Sequence, residues 1–128
     1  MKATGDFDGD GTPDLAIGAS GYDGYATNGG GVGIFDGGLL SGSVTFPSAQ
    51  WLVRGDGALG LSAALGDMDG DGIADLLAGA TTAGGNKGVA YMVEGGIATG
   101  TYTVPADQFA SWTGDSSGDL FGFSVGGF

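Results

Sequence analysis

Two nearly identical acidic segments constrain this chain more than any other feature. They read DFDGDGTPD over residues 6–14 and DMDGDGIAD over residues 67–75, and an apolar run follows each. Carboxylates at positions one, three and five repel one another on a regular helix or strand, but they converge when the backbone curls around a cation. The sequence therefore predicts two metal-binding loops. The rest of the chain repeats around them with a period of 61 residues, the distance from Asp6 to Asp67.

Calcium suits such a loop, because it takes six to eight oxygen ligands in flexible geometry. We predict two Ca²⁺ ions per chain. The predicted ligands of the first ion are Asp6, Asp8, Asp10, the carbonyl of Thr12, and Asp14. Those of the second are Asp67, Asp69, Asp71, the carbonyl of Ile73, and Asp75. Gly11 and Gly72 occupy loop position six, where a sharp turn favours positive φ.

Other interpretations of the acidic segments stay open at this point. The loops are not EF-hands, since position twelve is Ile17 in one copy and Ala78 in the other instead of Glu. Mg²⁺ demands stricter octahedral geometry, and Zn²⁺ favours Cys and His, which the chain lacks. Acidic turns without any ion are the remaining alternative.

Composition excludes several classes of function. The net charge of −12, with only 3 Lys and Arg, argues against nucleic acid and anionic membranes as partners. No apolar segment is long enough for membrane insertion. The absence of His and Cys removes the usual general bases and nucleophiles, and Glu94 is the single Glu. We therefore predict no enzymatic activity, no catalytic residues and no cofactor other than calcium.

Apolar residues alternate with a period of two around both loops, as in Val89, Tyr91 and Val93, and this pattern predicts strands. Four strands per unit of about 60 residues fit a β-propeller blade. The predicted fold class is all-β, with two blades of four antiparallel strands per chain. The predicted domains are residues 1–57, residues 58–118, and a strand of a third repeat at 119–128.

Two details of the repeat carry further expectations. Trp51 and Trp112 are 61 residues apart, which predicts equivalent places in the two units. Small residues on the second strand of each unit should let neighbouring blades approach closely near the axis. These residues are Ala16, Gly18, Ala78 and Gly79.

The segment Phe121–Val125, the acidic loop, and the Gly-Ala that follows the strand together resemble the FG-GAP repeat. That repeat is known from the β-propeller of integrin α-subunits and from bacterial extracellular proteins. The resemblance covers nearly the whole chain as two repeats. It implies blades of four antiparallel strands with calcium between the first two, at the ligand positions given above.

Two blades cannot close a ring, because their open sides would expose apolar faces. The C-terminal strand repeats a position already held by residues 1–4, so it is free to complete the first blade of another copy. We therefore expect self-assembly, with a homotrimer favoured over a tetramer. A fragment cut from a longer protein, or an engineered or ancestral small propeller, remains an alternative.

The expected function is that of a calcium-stabilised structural or binding module in adhesion, or in recognition of glycans or proteins. Tyr22, Tyr25 and Tyr102 are the predicted exposed loop contacts, although they would equally serve to cover a blade edge. The alternatives are a designed or excised fragment with no evolved ligand, and a hydrolase. We expect an extracellular or cell-surface location for a natural protein. Met1-Lys2 instead suggests a recombinant start placed before a mature segment.

Overall fold

A computed structural model describes residues 2–126 of the chain, and almost all of its regular structure is β. Short 3-10 helices occur at Gly37–Leu39 and Phe46–Ser48, and one helical turn occurs at Ala83–Asn86. The nine strands of the described range are β1 (Lys2–Gly5), β2 (Asp14–Ala19), β3 (Gly31–Phe35), β4 (Trp51–Arg54), β5 (Leu59–Gly66), β6 (Asp75–Ala80), β7 (Val89–Val93), β8 (Gly100–Thr103) and β9 (Ala110–Thr113).

The strands form two sheets, one for each repeat. Strands β1 to β4 are antiparallel neighbours in chain order, and the second sheet has the antiparallel order β5-β6-β7-β9. The registers correspond, since Ala16 lies opposite Ile34 and Leu77 lies opposite Met92. An acidic loop joins the first two strands of each sheet. The predicted all-β class and the four-stranded antiparallel blades are thereby confirmed.

Strands β3 and β7 lie at the centre of their sheets. All five residues of each strand are buried, so both faces of each strand are covered. Burial on both faces explains why their sequences, GVGIF and VAYMV, are continuous runs of apolar or small residues.

Strand β8 departs from the predicted blade, because it belongs to the second repeat but joins the first sheet. It pairs in parallel with β4, so that Trp51 lies opposite Gly100 and Arg54 opposite Thr103. The prediction of Tyr102 as a loop residue does not anticipate this strand, since GTYT carries no strong apolar alternation. Val104, directly after β8, is 1% exposed and packs into the core. The connection therefore ties the two blades together.

The main core lies between the two sheets. One face of the first sheet supplies Ala16, Val32, Ile34, Trp51 and Val53, and these residues are at most 2% exposed. The facing side of the second sheet supplies Ala63, Leu65, Leu76, Ala78, Ala80, Val89, Tyr91 and Val93. The blades therefore bury one sheet face against the other.

The two tryptophans do not occupy equivalent places, so that prediction is wrong. Trp51 lies opposite Ile34 in its ladder, whereas Trp112 lies opposite Ala90, which is equivalent to Val32. The equivalent positions on the fourth strands are 59 residues apart, two fewer than the 61-residue period, because the connection between the second and third strands is shorter in the second repeat. Trp51 is buried and its Nε1 donates to the carbonyl of Ile97 (3.0 Å), but Trp112 is 48% exposed.

The C-terminal segment forms turns, and no strand, over the described residues 119–126. It nevertheless docks as the start of the second repeat does: Phe121 N–H donates to Lys87 O (3.0 Å), as Leu59 N–H donates to Gly29 O (2.9 Å). Gly127 and Phe128, like Met1, lie outside the described residues. The domain boundaries and the exchange of this segment with a neighbouring chain stay predictions.

Candidate metal centre

Backbone amides hold the first carboxylate of each acidic loop. Asp6 Oδ1 accepts from Gly9 N–H (2.8 Å) and Oδ2 from Gly11 N–H (2.9 Å). Asp67 accepts in the same way from the amides three and five residues further on, both at 2.8 Å. Gly11 and Gly72 both have φ of +89°, which confirms the turn predicted at position six.

The carboxylates at loop positions three and five accept hydrogen bonds from backbone amides in the middle of each loop. Asp8 Oδ1 accepts from Asp10 N–H (3.0 Å), and Asp10 Oδ1 accepts from Thr12 N–H (2.7 Å). The second loop has the same two bonds: Asp69 Oδ1 accepts from Asp71 N–H (3.1 Å), and Asp71 Oδ1 accepts from Ile73 N–H (2.8 Å). Thr12 and Ile73, whose carbonyls are predicted ligands, thus take part in the loop through their amides.

The ninth-position carboxylates are buried and connect each loop to the third strand of its sheet. Asp14 is 1% exposed and Asp75 is 0% exposed. Asp14 Oδ2 accepts from Phe7 N–H (2.7 Å), and its Oδ1 accepts from Gly37 N–H (3.0 Å). Asp75 accepts in the same way from the amides of Met68 (2.9 Å) and Gly95 (3.0 Å). These bonds offset the cost of burying a charged carboxylate.

The loops bring their first three acidic side chains together. Carboxylate oxygens of Asp6, Asp8 and Asp10 all lie within 4.8 Å of one another, and those of Asp67, Asp69 and Asp71 do the same. Asp14 forms a second such group with Asp8 and Asp36 rather than with Asp6 and Asp10. The full ligand set at each loop remains a prediction.

A further acidic residue lies beside each loop, and neither residue is among the ligands predicted from the sequence. Asp36 follows β3 and its carboxylate lies within 4.8 Å of those of Asp8 and Asp14. Glu94 follows β7 at the equivalent position of the second sheet, and the charge of Asp69 contributes to its raised pKa. A signal was present in the sequence, because each of the two residues directly follows its third strand and precedes Gly-Gly.

Burial, together with the charges of neighbouring acids, raises the pKa of several acidic residues in and beside the loops. Burial, followed by the charges of Asp14, Asp10 and Asp36, raises the pKa of Asp8 despite the Asp10 amide. At Asp69 the Asp71 amide lowers the pKa, but burial and the charges of Asp75 and Asp71 outweigh it. Burial and the charge of Asp69 raise the pKa of Glu94. A bound cation would relieve the same repulsion.

The chemistry of the donor set fits a hard divalent cation. Each loop offers carboxylate and backbone oxygens, and the chain contains no His or Cys to supply a nitrogen or sulfur ligand. Flexible all-oxygen coordination is the preference of Ca²⁺. Bound calcium would supply charge neutralisation and hold the hairpin between the first two strands of each blade.

The model of the FG-GAP-like repeat matches residues 6–78, a span that begins at the first acidic loop and includes the second. The chain belongs to the FG-GAP-like repeat family. FG-GAP-like repeats form β-propeller-like structural or binding modules rather than enzymes, and they are typically extracellular. A search of curated proteins finds no match to the chain. No helix in residues 2–126 is long and apolar enough to cross a membrane.

The three tyrosines predicted as exposed loop contacts differ in their exposure. Tyr25 is exposed (57%), with the Arg54 guanidinium 5.7 Å from its ring centre. Tyr22 is half-buried and packs edge-on against Phe46 at 5.0 Å. Tyr102 lies within β8, half-buried, with its hydroxyl donating to the Ala98 carbonyl. Its expected place in an exposed loop is therefore wrong, because the connection forms a strand.

Proposed function

We propose that this FG-GAP-like chain is a calcium-binding propeller module that holds two Ca²⁺ ions. The observation that carries the proposal is the duplicated carboxylate cluster, with the same hydrogen bonds in both loops. The proposed ligands are the ten residues predicted from the sequence. Two ions would reduce the net charge from −12 to −8, since each adds two positive charges. Calcium should therefore stabilise the folded state.

The module serves a structural or binding role outside the cell or at its surface, in adhesion or in recognition of a glycan or protein. Tyr25 and Arg54 offer an exposed aromatic and a cation for such contacts. Catalysis is not part of the proposal, and three of the acids outside the loops act as turn caps. Asp23, Asp107 and Asp119 accept from the amides of Asn28, Thr103 and Ser116.

An apolar groove on the second blade supports self-assembly. The groove has a volume of about 610 Å³ and is lined by Met68, Leu77, Ala90, Met92 and Trp112 of the blade and by Phe121, Gly122, Ser124 and Val125 beside it. Their equivalents in the first blade, from the paired registers, are Phe7, Ala16, Val32, Ile34 and Val53. Those five are at most 1% exposed, because the second blade covers them. The second blade therefore has the equivalent surface, on which Trp112 is exposed and Met68 and Leu77 are half-buried, while Ala90 and Met92 are buried.

The matching surface lies on the other side of the first blade. Leu15 and Ile17 are equivalent to Leu76 and Ala78, which are buried between the blades. Leu15 is half-buried and Ile17 is 36% exposed. A second copy that placed its Leu15 and Ile17 on the groove would repeat the contact made within the chain. Such a head-to-tail contact closes into a ring, and three copies would give six blades.

Native mass spectrometry with and without a chelator tests both parts of this proposal. We expect a trimer carrying six Ca²⁺ ions, and loss of the ions and of the ring in chelator. A tetramer with eight ions would support calcium binding and head-to-tail assembly and would change only the number of chains in the ring. A monomer carrying two ions would refute self-assembly and keep the calcium function. A protein that binds no ion would refute the calcium function.

A further inference from the structure

We propose that Asp36 and Glu94 each supply a calcium ligand from outside the acidic loop. The inference depends on the proposed calcium function and extends it to two residues that the nine-residue loop pattern does not include. Both residues directly follow the third strand of their sheet and precede two glycines. The Asp36 carboxylate lies within 4.8 Å of those of Asp8 and Asp14, and Glu94 holds the equivalent position in the second blade.

The predicted loop ligands leave at least one coordination position of Ca²⁺ for a further side chain or a water. If each predicted ligand gives one oxygen, a loop provides five, and Ca²⁺ takes six to eight. The ninth Asp is poorly placed to give both oxygens. Asp14 Oδ2 accepts from Phe7 N–H at 2.7 Å and from Asp8 N–H at 3.3 Å, while Oδ1 accepts from Gly37 N–H. A bidentate Asp14 would compete with these bonds.

The backbone fixes Asp36 beside the first loop. Its N–H donates to Gln50 Oε1 (3.0 Å), and its Oδ1 accepts from Gly38 N–H (2.8 Å). The next amide, Gly37 N–H, donates to Asp14, so the end of β3 is tied to the loop itself. The carboxylate is therefore held within 4.8 Å of the acidic cluster by groups of its own blade. Such positioning is expected of a ligand supplied by a second element.

The second blade has the same arrangement, with Glu94 in place of the shorter Asp36. Gly95 N–H donates to Asp75 at 3.0 Å, as Gly37 N–H donates to Asp14. Glu94 stands one residue earlier, as Asp36 does in the first blade. An additional carboxylate beside a loop attracts Ca²⁺ when the ion is bound. When no ion is bound, the same carboxylate repels the other carboxylates. The two residues thus favour the loaded state over the empty one.

The test compares Asp36→Asn and Glu94→Gln with the wild-type chain by calorimetric titration with CaCl₂ and by thermal unfolding. Asn and Gln keep the shape and one oxygen but lose the charge. We expect each variant to bind two ions, with about 10-fold weaker affinity at one site. In chelator each variant should unfold at the same or a higher temperature than wild type. The exposed Asp115→Asn is the matched control and should change neither quantity.

The outcomes separate this inference from the calcium function. Two-ion binding by wild type and by both variants with equal affinity would overturn the ligand role of Asp36 and Glu94 and leave the calcium function standing. A variant that unfolds earlier in chelator, with unchanged calcium affinity, would mean that the residue only caps its turn. A wild-type chain that takes up no Ca²⁺ would overturn both proposals.

Discussion

Gly18 of β2 lies against the backbone of Gly60 of β5, at the junction of the two blades. A Cβ built on Gly18 would lie 1.9 Å from the carbonyl oxygen of Gly60, a distance that no side chain can accept. The contact is repeated one blade further on, where a Cβ on Gly79 would lie 1.8 Å from Gly122 O. The expectation that small residues allow close approach between blades is therefore confirmed at Gly18, whereas Gly79 lies against the C-terminal segment.

Gly18→Ala should destabilise the chain by about 1–3 kcal/mol, because the methyl group forces the two backbones apart. Chemical denaturation in saturating calcium measures the change. Gly126→Ala is the control, since a Cβ there meets nothing within 4 Å. Equal stability of Gly18→Ala and wild type would show that the blades do not depend on this close approach.

The two acidic loops should bind calcium cooperatively, because hydrogen bonds join them directly. Ala74 N–H, between two predicted ligands of the second ion, donates to the carbonyl of Asp6 (2.9 Å), and Gly96 N–H donates to Phe7 O (2.7 Å). Ordering one loop thus fixes groups of the other. We expect Asp67→Asn, which impairs the second site, to weaken calcium binding at the first by roughly 5-fold.

Titration calorimetry of Asp67→Asn against wild type and Asp115→Asn measures this coupling. A first site whose affinity is unchanged in Asp67→Asn would show that the sites act independently, whatever the contacts between their loops.

Stability should depend on pH in opposite ways with and without calcium. The pKa values of Asp8, Asp69 and Glu94 are raised in the folded chain, so the folded state binds these protons more tightly than the unfolded state. Their contribution to stability is present at a pH below about 4, and is lost as the pH rises through the raised values. In chelator, the unfolding temperature should therefore be lower at pH 7 than at pH 5.

In saturating calcium we expect the reverse, because protons compete with Ca²⁺ for the same carboxylates. Scanning calorimetry at both pH values, with EDTA or CaCl₂, checks the prediction. An unfolding temperature in EDTA that increases from pH 5 to pH 7 would contradict it.

Ile17→Glu should abolish self-assembly while the chain stays folded. The side chain is 36% exposed and is proposed to lie on the groove of a second copy, where a buried unpaired charge is unfavourable. Light scattering after size exclusion should change from trimer to monomer. Leu39→Glu is the matched control, because Leu39 is apolar and 64% exposed at a different place. Loss of assembly in both variants would argue against a specific Ile17 contact.

Periodic and loop patterns predicted most of the fold. The four Asp of each loop specify a turn with few alternatives, and the strand runs around them are strongly apolar, so the hairpins and their sheets follow. Strand β8 was not predicted, because the short polar segment GTYT forms a strand only by pairing with the edge of β4. A local sequence pattern carries no information about such a distant partner. The roles of Asp36 and Glu94 were not predicted for a similar reason, since β3 and β7 bring them to the loops from 22 and 19 residues beyond the loop ends. Trp112 was misplaced because a fixed period ignores a difference in loop length.

The parallel pairing of β8 with β4 means that the smallest folding unit is larger than one repeat. A gene divided after residue 57 would leave the first sheet with a bare outer edge and without the Val104 side chain that fills its core. Exposed edges of this kind invite pairing between unrelated chains. Any shuffling of these repeats in evolution or engineering should therefore succeed in pairs and aggregate as singles.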